Sequence, residues 1–179
     1  MNKKLYSLQI KGFIFTSILG VLLHYLFDFT DKSMIVALFS PVNESIWEHL
    51  KLIYFPMTIY SLIEIKYLQN EYSIFWCVKL LGVLSSILLT PILYYTLNGA
   101  FGTLPDFVNI IIYFASIAFG YWLEAILFIN NTIDCKNPHI AKYIVLLISV
   151  LFMFFTFLPP QIPLFKDPVT STYGYYQLQ

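Results

Sequence analysis

The chain has 179 residues, of which 59% belong to the apolar set AVILMFWYC and 11% are charged, and its formal net charge is zero. That length fits one compact domain rather than two, and a soluble protein of this size cannot bury so much apolar surface, since a typical soluble domain is about a quarter charged. Every cationic side chain is a lysine, so the arginine forks that usually grip phosphate are missing and nucleic acid is excluded as a partner.

The composition predicts an all-α polytopic membrane bundle whose partner is the lipid bilayer. A helix needs about twenty mostly apolar residues to cross a bilayer, and five segments meet that need. The first covers 10–29. It follows MNKK, which superficially resembles the start of a signal peptide, but no small-residue cleavage site comes after it, so it reads as a retained span. The second is interrupted: MIVALF at 34–39, the polar break SPVNES, then helix over 46–65. Pro41 breaks the chain there, which makes 34–39 a short hairpin or half-helix dipping into the interface. The third covers 74–97, the fourth 107–129 and the fifth 140–158, where Pro159 and Pro160 stop it. Residues 1–158 then form the bundle, and 159–179, rich in Pro and Tyr, form a tail capping its outer face.

Lysines set the expected orientation. Lys3, Lys4 and Lys11 precede the first span, Lys66 follows the second, and Lys136 and Lys142 lie between the fourth and fifth, whereas the loop NGAFGTLPD has none. By the positive-inside rule the N-terminus is cytoplasmic and the tail extracytoplasmic; Lys32, Lys51 and Lys166 weaken that asymmetry without reversing it. No internal repeat is visible, which disfavours an inverted-repeat transporter. Cys77 and Cys135 lie far apart without C-x-x-C spacing and are expected to be reduced or inert.

The polar residues concentrate in SPVNESIWEHLKL. With helix beginning near Ser45, Glu48 lies one turn from Glu44, Lys51 and Thr58 continue that stripe, His49 lies about 100° round, and Asn43 is in position to cap. In the first span His24 and Asp28 share a face with Gly20 and Ser17. Two helices thus bring His24, Asp28, Glu44, Glu48 and His49 to similar depth. An ionised group at the bilayer centre costs about 2.5–3.5 kcal/mol on insertion scales, so such residues face the bundle interior or a cavity. Three readings stay open. His24, His49 and Asp28 would hold zinc or another divalent ion, with Glu44 and Glu48 as the catalytic carboxylates; the same groups would pair with one another and Lys51 as a structural network; or they would line an ion or substrate path. H-x-x-x-D and E-x-x-x-E-H are unspecific spacings, and H-E-x-x-H is absent.

The fourth span carries a second stripe, Asp106, Asn109, Tyr113, Ser116, Gly120 and Glu124, and the third a matching one, Lys79, Gly82, Ser86 and Thr90. These small residues permit close helix packing, and a Lys79–Glu124 ion pair is expected between them. His139 reads as an interfacial residue without a special role. In the tail, Asp167 either completes the outer cluster or caps the turn at Pro168.

SPVNESIWEHLKLIYFP, preceded by GVLLHYLFDF and followed by FTFLPPQIPLFKDPVTSTYG, resembles an uncharacterised family of small bacterial membrane proteins, a domain of unknown function. The resemblance covers nearly the whole chain and is most specific at PVNESIWEHLK. It implies a multi-spanning protein of the bacterial cell membrane with His24, Asn43, Glu44, Trp47, Glu48, His49 and the 167–174 region as hallmarks, and no activity. The expected function is an outward-facing polar site, as in metal-dependent hydrolysis of a membrane-proximal substrate. The alternatives are a small transporter that uses the third and fourth stripes, and a non-catalytic accessory subunit.

Overall fold

A chain crossing lipid finds no water for its peptide groups, so it satisfies them within helices. The computed structural model describes residues 3–130 and 133–175, so 176–179 of the expected tail lie outside it. Six α-helices follow in order: α1 Lys3–Phe29, α2 Met34–Ala37, α3 Ile46–Leu68, α4 Phe75–Phe101, α5 Asp106–Asn130 and α6 Pro138–Phe157, then a 3-10 turn at Pro163–Phe165. Among the described residues there is no strand, only one isolated bridge, Lys166 to Tyr173.

Four of these helices, α1, α4, α5 and α6, are long and apolar enough to cross a membrane. Five spans were expected and five long helices are present, but α3, the expected second span, is not among the four. Its 23 residues would reach about 34 Å, yet it carries Glu48, Lys51, Glu64 and Lys66 and has no stretch apolar and charge-poor enough to count among the candidate spans. It packs between α1, α4 and α6, while α5 closes against α1 and α4. Glu48, Lys51 and Glu64 are therefore buried, and this long helix is the spine of the bundle. Outward-facing Ile14, Ile18 and Leu22 of α1 and Leu147 and Val150 of α6 stay exposed, as a lipid-facing surface requires.

Several ends run further than the apolar pattern. Helix α1 starts at Lys3 because Leu5 and Leu8 are buried with Leu68, Phe75 and Phe128 at the α3–α4–α5 end. Helix α4 passes through Pro91 and stops at Gly102, whose φ of 81° suits glycine. The expected half-helix is the single turn α2, and Ser45 is the N-cap of α3, its hydroxyl accepting the Glu48 N–H at 3.4 Å. Asn43, expected to cap, instead accepts the Ser45 N–H at 3.0 Å, one turn earlier.

Two close approaches lock the bundle. Pro56 has no N–H to give the Leu52 carbonyl one turn before it, and α1 packs Gly20 onto that carbonyl. A Cβ at Gly20 would sit 2.5 Å from Leu52 O and collide with Tyr113 Oη of α5. At the opposite end Cys77, in the first turn of α4, is disulfide-bonded to Cys135 of the α5–α6 connection. This corrects the expectation of two reduced or inert thiols. The antiparallel α4–α5 pair returns the chain to the start of α4, a proximity that 58 residues of separation hide from any spacing rule.

The tail packs back on the bundle through Tyr175. Phe165 stacks on Trp47 at 4.6 Å, Tyr175 N–H donates to Thr156 O at 2.8 Å, and the Tyr175 ring packs on Phe27 and Phe157. The bundle end it covers, with the C-terminus of α1 and the start of α3, is called the tail end below.

Gly20→Leu is expected to lower stability in detergent by at least the about 1–3 kcal/mol of an overpacked site. Gly99→Leu, where an added Cβ meets nothing within 4 Å, should leave the unfolding curve in place.

Candidate functional site

The tail-end polar residues divide into two sets. The first is closed. Glu48 is 2% exposed and both its oxygens are engaged: Oε2 accepts from Lys51 Nζ at 2.6 Å and from the Val42 N–H at 3.1 Å, and Oε1 from the Thr156 hydroxyl at 3.2 Å. Lys51, fully buried, also donates to Ala37 O at 2.8 Å and Ser40 O at 3.3 Å, while the Ser40 hydroxyl donates to Leu23 O of α1. One ion pair and its hydrogen bonds thus fasten α2, the SPVNES break, α3 and α6 together. Ser45 and Glu48 have the S-x-x-E spacing of a capping box, but Glu48 reaches past Ser45 to the Val42 N–H.

The second set is open. His24 of α1, Glu44 of the break and His49 of α3 each bring one ligand atom within 4.8 Å of the other two. His49 Nδ1 lies 3.0 Å from Ser45 O and its Nε2 3.4 Å from Glu44 Oε2; the His24 and His49 rings are 5.2 Å apart between centroids. The side chains of His49 and Glu44 are 32% and 53% exposed. Of the five residues read from the sequence as one cluster, three meet. Glu48 is in the clamp, and Asp28, one turn beyond His24, is exposed and its carboxylate lies outside the group. Asp106 is exposed at the start of α5. Asp167 caps its own turn, accepting the Val169 N–H at 2.8 Å and the Thr170 hydroxyl at 2.7 Å.

The third and fourth stripes meet as close packing. A Cβ at Gly120 would strike Ser86 Oγ, and one at Gly82 would strike the Glu124 carboxylate, so little width is left for a hydrated ion. Near the opposite end, Lys79 Nζ lies 2.5 Å from Glu124 Oε2, the expected pair, and 2.7 Å from Glu64 Oε2 of α3. Gln9 Nε2 of α1 donates to Glu64 Oε1 at 2.6 Å. Glu64 and Gln9 were missed because the polar stripes of α3, through Thr58 and Ser61, and of α1, through Ser17 and Gly20, were not followed on to the opposite end. Their signal was a charged or amide group at bilayer depth, which demands a partner.

Residues 1–175 match a family of unknown function (DUF6512), and the chain belongs to that family. No curated protein and no solved structure matches it.

Removing the Glu48 carboxylate leaves the Lys51 cation buried without its counter-ion, so Glu48→Ala should cost about 3–5 kcal/mol of stability. Glu44→Ala, on an exposed side chain, should stay within about 0.5 kcal/mol when variant and wild type are both stripped of metal by chelator. Denaturant unfolding of both variants in detergent tests this, and equal losses would contradict the division into closed and open sets.

Proposed function

We propose that this family member is a membrane-bound, metal-dependent hydrolase whose ion is held by His24, Glu44 and His49. One observation carries the reading. A carbonyl only accepts, so the 3.0 Å contact with Ser45 O keeps the His49 proton on Nδ1, and the Nε2 lone pair then faces a carboxylate oxygen at 3.4 Å. Two acceptors facing each other call for a cation between them. A carbonyl holding the far nitrogen of a histidine is also the usual way a metal-ligating imidazole is oriented.

Two imidazoles and one carboxylate suit zinc, and three protein ligands leave one of its four positions for water or substrate. A metal there would lower the pKa of that water and make a nucleophile at neutral pH. Asp28, one turn beyond His24, is the carboxylate we assign to take the water's proton, because Glu48 has no free oxygen. Partial exposure at the end of the bundle favours a substrate at the membrane surface, such as a lipid headgroup linkage.

We place the protein in the cell membrane with this end outward, on the lysine distribution: Lys3, Lys4, Lys11, Lys66, Lys136 and Lys142 belong to the opposite end. The Cys77–Cys135 bond argues against that orientation, since disulfides persist in oxidising compartments and this one lies at the lysine-rich end. Labelling single cysteines, added at Val169 or Lys136 in a background lacking Cys77 and Cys135, with a membrane-impermeant thiol reagent on intact cells decides it. Reaction at 169 and not at 136 is expected.

Protein purified without chelator is expected to carry one transition-metal ion per chain, measured by elemental analysis. His24→Ala and His49→Ala should each weaken binding at least about tenfold, the scale of losing even an outer-shell group, and acidification should release the ion because both imidazoles must be neutral to ligate. Absence of stoichiometric metal from the wild type, with His49 and Glu44 forming a protonated ion pair instead, would end the hydrolase reading.

A further inference from the structure

The cluster at the other end of the bundle is unevenly satisfied. Glu64, Lys79 and Glu124 are at most 1% exposed, and two carboxylates with one ammonium sum to a formal charge of −1 when all are ionised. Glu64 has a donor on each oxygen, Gln9 on Oε1 and Lys79 on Oε2. Glu124 has Lys79 on Oε2, while its Oε1 is buried without a hydrogen-bond partner. Gln9, 4% exposed and tied into the cluster from α1, likewise leaves Oε1 without one. Both orphans are acceptors, so the missing ligand is a donor or a cation. It must also be small, since Glu124 Oε1 lies against the backbone of Gly82 so closely that a Cβ there would strike it. A lone net charge so deeply buried is strongly disfavoured unless it is neutralised.

We propose that Glu124 is an exchangeable proton-binding site, with the Glu64–Lys79 ion pair as its fixed counterpart. Binding adds a proton to the Glu124 carboxylate, forming a carboxylic acid and bringing the cluster to neutrality; release restores the carboxylate and the charge of −1. The groups facing Glu124 are Glu64 and Tyr60 from α3, Lys79 from α4 and Tyr121 on α5 itself, while α1 brings the uncharged Gln9 and Thr16. The cluster borders a short polar seam between α1 and α5. Lys79 Nζ sits 5.2 Å from the Tyr121 ring centroid, and the Tyr121 hydroxyl pairs with Thr16 Oγ1 at 2.8 Å. Tyr113 OH, also on α5, donates to the Thr16 backbone carbonyl at 3.2 Å. This inference does not depend on a metal at the tail end.

Infrared spectroscopy of the full chain in lipid nanodiscs at neutral pH tests the proposal. The wild type should show a protonated-carboxyl C=O band that shifts in D2O, disappears in Glu124→Gln and remains in Asp106→Asn. Should Glu124→Gln not fold, Glu124→Asp keeps an acid at the position and must move the band. Absence of the band, its survival in Glu124→Gln, an unchanged position in Glu124→Asp, or no shift in D2O would overturn the proposal. Loss of the band on adding sodium would replace the proton with a metal cation and overturn it equally.

Discussion

Lys79 holds its ammonium between Glu64 and Glu124, 2.7 and 2.5 Å away, and the bundle is arranged around the need to give that charge partners. A lone ion cannot be left in a low-dielectric interior, whereas a paired and hydrogen-bonded one can. The requirement joins α3, α4 and α5 through three side chains and adds α1 through Gln9. Lys51 imposes the same demand at the tail end and meets it with Glu48, Ala37 O and Ser40 O. Both lysines need partners on or beside α3, so the one long helix that is not a candidate span occupies the middle and the four that are turn faces to lipid.

Small residues make this possible. Gly20, Gly82 and Gly120 lie where a side chain would collide with a polar atom of the neighbouring helix, so the backbones approach closely enough for short side chains to meet. Membrane helices lack a hydrophobic drive toward one another and rely on such packing together with hydrogen bonds. The stripes on α4 and α5 are consumed by this contact, which is why they read as interhelical seam rather than as a conduit.

Against this background the His24–Glu44–His49 group differs in kind. The clamp around Glu48 is buried, with donors on both oxygens. Glu44, four residues earlier and on the same polar run, has a half-exposed side chain facing a histidine nitrogen. Two carboxylates one turn apart thus have opposite surroundings, one spent on folding and the other left with unused ligand capacity. The SPVNES break produces the difference: it leaves Glu44 outside α3 in a loop, while Ser45 caps the helix and points Glu48 inward.

Periodicity and composition were enough to read the long helices, the break after residue 39 and the Lys79–Glu124 pair, because apolar spacing and a charge at bilayer depth are local signals. The same signals placed His24 and His49 at one level. They did not separate Glu44 from Glu48, find Glu64 and Gln9 as the remaining partners of Lys79, or join Cys77 to Cys135. Those pairings depend on which helix faces lie against each other, and a buried charge announces that it needs a counter-ion without naming it. Only packing of the assembled bundle selects the partner.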